Sequence, residues 1–402
     1  MVAISSPQYV WALFTKPLTD SLGVSLAQVQ VTFSLLIVLQ TFLSPWQGFL
    51  IDRFGPRALL SLGAILTGLS WVLAARANTI TGLYLTYGGL GGIGTGIIYV
   101  GTVCHVAQWF PDRRGLATGL VAAGYGFGAV LTTFPISQII RASDYHHALL
   151  EFGAIFGAVG LISAQGLKRP EAPSEVAQRD LTPLAVPSPK QALRSFTPAE
   201  MLRTPIFWLM FVMMTMMSTS GLMVVSQMGS FTRDFGMADV LVFGLPALPL
   251  ALSIDRLANG LTRPFFGWVS DRIGRENTMV IAFALEGLAM TIWLLTRRDA
   301  AIFVLMSGVV FFGWGEIFSL FPSTLTDTYG SKQATSNYGL LYTAQGLGSI
   351  LGGPIAALLH QATGSWIPVF ELIIVMNFAT AILAHFALKP MRRRWFQAEI
   401  GA

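Results

Sequence analysis

Gly48-Phe-Leu-Ile-Asp52-Arg53-Phe-Gly55 and Gly267-Trp-Val-Ser-Asp271-Arg272-Ile-Gly274 are two copies of one pattern, with the same offset at every matched position. Each copy closes one apolar run and opens the next, so each marks a tight turn between hydrophobic helices. Glycine there would let a neighbouring helix approach closely. The aspartate can face a positive helix N-terminus, and the arginine holds the turn on one side of a membrane. Either copy alone is a Gly-rich turn with arginines. Two copies in corresponding places predict a duplicated membrane protein, its repeats related by an axis along the membrane normal.

Composition agrees. The 402 residues are 53% hydrophobic and only 11% charged, with a mean hydropathy of +0.62, a balance that a water-soluble fold could not cover with polar surface. A spanning helix needs roughly 20 apolar residues, and such stretches run nearly end to end, about twelve in all. The fold class expected is an all-α polytopic membrane protein: a six-helix half over 1–167, a linker over 168–204, a second half over 205–388 and a basic tail over 389–402. Pro170, Pro173, Pro183, Pro187 and Pro189 exclude a continuous helix through the linker. The first span is short and begins at Met1, which leaves open a shortened helix or a start codon placed late. The first basic residue, Lys16, follows the apolar stretch, so no cleavable signal is expected.

Lys and Arg are enriched in short cytoplasmic loops. Arg53, Arg57, Arg113, Arg114, Lys168, Arg169, Arg179, Lys190, Arg194, Arg203, Arg272, Arg275, Lys332, Lys389 and Arg392 to Arg394 fall on one side. Lys16, Arg76, Arg141, Arg233, Arg297 and Arg298 fall on the other. The linker and the C-terminus are therefore expected in the cytoplasm, and the net charge of +5 reads as topology, not nucleic-acid binding. The single cysteine, Cys104, can form no intramolecular disulfide. The five histidines show no metal-ligand spacing, and no Ser/His/Asp arrangement is evident, so neither a metal, a cofactor nor an enzyme is expected. Gly89-Leu-Gly91-Gly92-Ile-Gly94 matches the dinucleotide fingerprint only formally, because it lies inside an apolar span and not between a strand and a solvated helix start. Gly88, Gly92 and Gly96, Gly124 and Gly128, and Gly348 and Gly352 read as small-residue seams where helices touch.

An ionisable group inside a span costs about 2.5 to 3.5 kcal/mol on insertion scales, so each needs a reason. Asp255, Arg256, Arg263, Glu286 and Glu316 stand out. Arg256 and Arg263 are seven residues apart, within roughly 20° of one helix face and about 10.5 Å along the axis, with Asn259 between them. Guanidinium groups match the paired oxygens of a carboxylate, so this stripe is a candidate anion site. The alternative is that both arginines are held in internal ion pairs by Asp255, Glu286 or Glu316. Counted together, these three carboxylates outnumber the two arginines. Glu316 lies roughly 200° around the helix from Trp314 and from Phe318, so it faces away if those rings face a cavity. Tyr9, Tyr99, Tyr125, Trp314, Phe318, Tyr338 and Tyr342 also fall within spans. Singly each reads as packing, but together they could form a cage that excludes water from a small anion.

Several local strings are more specific. Gln8-Tyr9, Leu22-Gly23-Val24-Ser25-Leu26, Trp109-Phe110-Pro111-Asp112, Arg114-Gly115-Leu116-Ala117, Ala122-Ala123-Gly124-Tyr125-Gly126, Met201-Leu202-Arg203-Thr204-Pro205, Arg263-Pro264, Leu320-Phe321-Pro322-Ser323 and Asn337-Tyr338-Gly339 resemble the oxalate/formate antiporters of the major facilitator superfamily. The resemblance implies the major facilitator fold in a bacterial inner membrane, working by alternating access as a monomer in the lipid bilayer and exchanging oxalate for formate. It implies that Arg263 binds the dicarboxylate inside an aromatic cage mapping to Tyr9, Tyr99, Tyr125, Trp314, Phe318 and Tyr342. It also implies a second cation, a lysine, where this chain has Gln345, a departure that bears on oxalate itself and not on carboxylate transport. A proton-coupled monocarboxylate symporter is the alternative, and a non-transporting anion receptor a remote one, since no signalling domain is evident.

Overall fold

The structure is a computed structural model that describes residues 1, 4–109, 114–167, 194–237, 240–330 and 333–400. Most of the expected linker, with Lys168 to Lys190, lies outside the described residues, as do Arg113, Lys332 and the side chains of Asp52, Cys104 and Arg114.

Helical rods make up the chain. They are α1 (Ser6–Tyr9 continued by Trp11–Leu22), α2 (Leu26–Phe42 continued by Ser44–Phe54), α3 (Pro56–Ala74), α4 (Ile80–Leu83, a π-helical stretch Tyr84–Leu90, then Gly91–Trp109), α5 (Arg114–Ala142) and α6 (Tyr145–Gln165). After a short helix, Pro198–Leu202, come α7 (Pro205–Asp234), α8 (Ala247–Ile273), α9 (Arg275–Leu295) and α10 (Ala300–Trp314 and Ile317–Tyr329). The last two are α11 (Ala334–Ile350, π-helical Leu351–Ile355, Ala356–Thr363) and α12 (Ile367–Leu383, π-helical Ala384–Leu388, Lys389–Ile400). Among the described residues, 7 helices are long and apolar enough to cross a membrane unaided. The other rods carry breaks or polar stripes. Helices are the form expected here, because lipid leaves backbone donors and acceptors no partner but each other.

Side chains fix where rods begin. Ser25 and Gln28 form a reciprocal capping box at α2. Asp144, Thr204 and Asp299 accept from backbone N–H groups at the starts of α6, α7 and α10. The apolar run from Val240 reads in sequence as the start of a span. It forms instead a hairpin, β1 (Leu241–Val242) and β2 (Leu245–Pro246), turned at Phe243 and Gly244 with φ of 52° and 79°.

The sequence repeat is also a backbone repeat. Gly55 and Gly274 adopt φ/ψ of 92°/154° and 89°/153° at the α2–α3 and α8–α9 turns, a region essentially restricted to glycine. Close helix approach does not explain Gly267, where a β-carbon would meet nothing within 4 Å. Asp271 binds the Arg275 side chain at 2.7 Å, on the first residue of α9, and Arg272 stacks on Trp268 at 3.9 Å.

The two halves meet at several helix pairs, and three of the contacts are close. Gly229 of α7 sits against the Ala12 carbonyl of α1, 2.3 Å from where a β-carbon would stand. Ser34 of α2 donates to the Ser349 carbonyl of α11 at 2.6 Å. Gly126 of α5 faces Asn259 and Gly260 of α8. Within the halves, Gly88, Gly92 and Gly96 back onto α2, while Gly348 and Gly352 back onto α7.

A buried aromatic and guanidinium site between the halves

α8 carries Arg256 and Arg263 into the interface, 0% and 4% exposed. Arg256 lies between two rings, 4.1 Å from the centre of Tyr9 and 4.2 Å from that of Phe311. Its only ion-pair contact among the described residues is Asp255, at 3.9 Å, beyond hydrogen-bond range. None of its three nitrogens has a hydrogen-bond acceptor among the described residues. Arg263 donates to the Ala122 carbonyl of α5 at 3.1 Å and to Asn259 Oδ1 at 3.2 Å. Its guanidinium lies 4.5 Å from the Phe318 ring centre, and its Nε is unpartnered.

All seven aromatics singled out in the sequence join in one connected set. Tyr9 meets Tyr125 at 5.2 Å, Tyr125 meets Tyr99 at 5.2 Å, and Tyr99 stacks on Tyr342 at 6.2 Å. Tyr342 contacts Tyr338 at 5.5 Å and Phe318 at 6.4 Å, and Phe318 meets Trp314 at 5.4 Å. Five helices, α1, α4, α5, α10 and α11, thus contribute to one wall. Edge-on contacts dominate, as ring quadrupoles favour. Trp314 is turned toward α7: its Nε1 donates to the Met217 carbonyl at 2.9 Å, so it has no donor left for a ligand.

Gln345 shares the face of α11 with Tyr338 and Tyr342, is 2% exposed, and has no partner for its Oε1. Asn259 has an unpartnered Nδ2. Two residues escaped the sequence reading of the site. Gln8 of α1 accepts from the Tyr125 hydroxyl at 2.8 Å and leaves its Nε2 unpartnered, and Gln40 of α2 lies against Tyr125 with its Oε1 unpartnered. Neutral amides carry no charge penalty, so the search for costly ionisable groups passed over them. Their signal was the number of glutamines inside spans.

The alternative in which the glutamates hold the arginines in internal ion pairs is not what the structure has. Glu286 accepts from Ser220 of α7 at 2.6 Å, and neither Glu286 nor Glu316 forms an ion pair with a described residue. Gly313 of α10, three residues before Glu316, packs on α9 at Glu286. Among the described residues, Asp255 is the one carboxylate in ion-pair range of either arginine, and it reaches Arg256.

The centre of the site is buried. Tyr9, Arg256, Tyr125 and Trp314 are buried, whereas Tyr99, Phe318 and Tyr338, nearer the side bearing Arg272 and Arg275, are half-buried. Toward the opposite side an amide network ties the halves: Trp11 Nε1 donates to Gln30 Oε1 at 3.0 Å, Gln30 Nε2 to the Ser226 carbonyl at 2.8 Å and Gln227 Oε1 at 3.1 Å, and Gln227 Nε2 to the Gly353 carbonyl at 2.7 Å.

Known proteins share this plan. A sequence profile of the Major Facilitator Superfamily matches residues 2–254 and again 249–401. An oxalate:formate antiporter of Oxalobacter formigenes is 34% identical over 396 residues, 98% of this chain and 90% of that protein. The chain belongs to the oxalate/formate antiporter family. More distant similarity extends from this family member to an uncharacterized MFS-type transporter, YhjX, of Escherichia coli, 27% identical over 85% of the chain and 81% of the relative. Monocarboxylate transporter 13 of Bos taurus is 26% identical over 85% of the chain and 75% of the relative. The chain is a transporter of this superfamily, and the buried aromatic and guanidinium site lies where its two halves meet.

Proposed function

We propose that the transporter exchanges small carboxylates across the bacterial inner membrane by alternating access, oxalate against formate, with Arg263 as the principal ligand. The observation that carries this is the pair of buried guanidinium groups with unpartnered N–H donors, Arg256 Nε, Nη1 and Nη2 and Arg263 Nε, beside a single carboxylate. A buried charge is tolerated when paired and hydrogen-bonded, and a carboxylate that enters and leaves supplies both. Arg256, Asn259, Gln345 and the tyrosine hydroxyls complete the ligand shell, while the rings of Tyr9, Tyr99, Tyr125, Phe318, Tyr338 and Tyr342 exclude water and Trp314 braces them. An empty carrier would have to occlude unpaired cations, so reorientation requires a bound anion. That is exchange.

In this reading residues 1–167 and 205–388 rock against each other about the site, joined by the linker 168–204 and followed by the tail 389–402. The side bearing Arg272, Arg275 and Lys389 faces the cytoplasm. The working unit is a monomer in the bilayer. Proteoliposomes loaded with formate or oxalate test the proposal: labelled oxalate enters only when a counter-anion is inside. Uptake into empty vesicles driven by a pH gradient would instead establish proton-coupled symport, the reading favoured by the neutral Gln345.

A further inference from the structure

Behind the anion site, the second half holds two acidic side chains that carboxylate binding does not use. Glu286 of α9 and Glu316 of α10 are both fully buried. Glu286 Oε2 and both oxygens of Glu316 have no hydrogen-bond partner among the described residues. Gly313, three residues before Glu316, packs so closely on α9 that a β-carbon would lie 2.9 Å from that of Glu286. The α10 backbone three residues before Glu316 thus lies against Glu286 itself.

A third buried acceptor converges on them. Asn377 of α12 donates through Nδ2 to Ser220 Oγ at 3.2 Å, and Ser220 donates in turn to Glu286 Oε1 at 2.6 Å. Asn377 is fully buried with its Oδ1 unpartnered, and its β-carbon packs beside Gly287, the neighbour of Glu286. The cluster therefore has four unsatisfied oxygen acceptors and no positive charge. Among the described residues, α7 contributes Ser220 and α12 contributes Asn377 to the cluster, while the charged groups of the neighbouring α8 are Asp255, Arg256, Arg263 and, toward its end, Asp271 and Arg272. Neither arginine comes within ion-pair distance of either glutamate. Two ionised carboxylates in a dry interior cost far more than the surrounding dipoles return.

We propose that Glu286 and Glu316 form a proton-binding site, separate from the anion site, with Ser220 and Asn377 as its neutral partners. A proton fits this chemistry better than a metal ion, since it turns one acceptor into a donor and needs no cavity. A sodium ion takes several oxygens at once and needs space between helices that pack at glycine contact. The site is placed to affect transport. Glu316 belongs to the break in α10 between Trp314 and Ile317, and the flanking Trp314 and Phe318 belong to the aromatic wall. Protonation at Glu316 removes a charge from this hinge, and release of the proton restores it, so proton occupancy sets how readily α10 bends around the bound anion.

Infrared spectroscopy of the purified transporter in lipid tests this without any substrate, so its outcome is independent of which anion is carried. At neutral pH, wild-type protein is expected to show the carbonyl stretch of a protonated carboxylic acid. Labelling glutamate with carbon-13 should shift that band, and Asp255→Asn should retain it. Glu316→Gln and Glu286→Gln should each diminish it, and the double variant should lose it. The labelled wild type needs no substitution, so a folding failure in the variants leaves the test intact. A spectrum with no glutamate-derived band, or one whose band persists in the double variant, overturns the proposal. So does a band that disappears on adding sodium at constant pH, which would mark a metal site.

Discussion

Gln30 of α2 donates to Gln227 of α7 across the interface between the halves, at 3.1 Å, and both side chains are fully buried. Gln30 is the centre of a chain from Trp11 to the Gly353 carbonyl in the π-helical stretch of α11, so this contact closes the side opposite Arg272 and Arg275. Gln30→Leu would orphan the Trp11 indole N–H and remove a donor from Gln227 and Ser226. Each buried orphan costs about 1–3 kcal/mol, and about 1.4 kcal/mol is a tenfold change in population. The variant should therefore populate the form open on that side at least about tenfold more. Ser349→Cys, at the neighbouring α2–α11 contact, reports it in a Cys104→Ser background: its labelling by impermeant maleimide should accelerate when Gln30→Leu is added. An unchanged rate would mean that the amide network is not the gate.

Trp314 offers a test of the wall. A β-carbon on Gly221 would stand 2.0 Å from its indole ring, and a fused ring cannot bend away as a flexible chain could. Gly221→Ala should displace Trp314 and, through it, Phe318. Overpacking costs about 1–3 kcal/mol and outweighs the helix preference of alanine over glycine, about 1 kcal/mol. A lower melting temperature and weaker oxalate binding are expected. A variant with wild-type melting and binding would show that the ring can sit elsewhere without loss.

Arg263 should be the residue whose loss affects carboxylate binding most. Removing a charge-assisted hydrogen bond costs about 1.5–3 kcal/mol, so Arg263→Gln should weaken oxalate binding by about ten- to 150-fold. Arg263→Lys should recover little, because a lysine cannot hold Ala122, Asn259 and a carboxylate in one plane. Equilibrium titration with oxalate checks both. Wild-type affinity in Arg263→Gln would move the site elsewhere.

Orientation is tested separately. Cysteines at Ser174 in the linker and at the exposed Gln397 should react with impermeant maleimide only from the cytoplasm, and labelling of either in intact cells would reverse the topology.

Much of this arrangement was legible in the sequence because lipid restricts the options. Backbone groups in a bilayer must bond within a helix, so apolar stretches gave the rods. The two Gly-Asp-Arg-Gly patterns gave the duplication that reappears in the matching dihedrals of Gly55 and Gly274. Arg256 and Arg263 were legible because a charge in a span is costly. Their partners were not, since pairing depends on how each helix is rotated: Glu286 turned toward Ser220, not toward α8. The hairpin at Leu241–Pro246 was hidden because its apolar residues look like more helix, although Phe243 is 85% exposed. Gln8 and Gln40 were passed over because an amide can be packing or ligand, and only the neighbouring Tyr125 distinguishes them.

Gln345 decides between a dianion and a monoanion, and the rotation of the glutamates changes that argument. With Glu286 bound to Ser220 and Glu316 out of ion-pair range of both arginines, the cage holds Arg256 and Arg263 against Asp255, one cation more than anion. A monocarboxylate balances that excess, whereas a dicarboxylate overshoots it by one charge. Its second carboxylate must then rely on the unpaired donors of Arg256 and on neutral hydroxyls and amides, each worth about 0.5–1.5 kcal/mol net against about 1.5–3 for a charged partner. Oxalate should therefore bind, but below the affinity that a second dedicated cation would give. Gln345→Lys supplies that cation on the same face of α11 as Tyr338 and Tyr342, and it should tighten oxalate by about tenfold, equivalent to roughly 1.4 kcal/mol. Formate should gain nothing, because the added charge would be left unpaired beside a monoanion. Titration of both anions against wild type and Gln345→Lys reads the two effects together. If the substitution abolishes oxalate uptake, or if the wild type carries formate and lactate while ignoring oxalate, the dicarboxylate assignment fails and monocarboxylate symport takes its place.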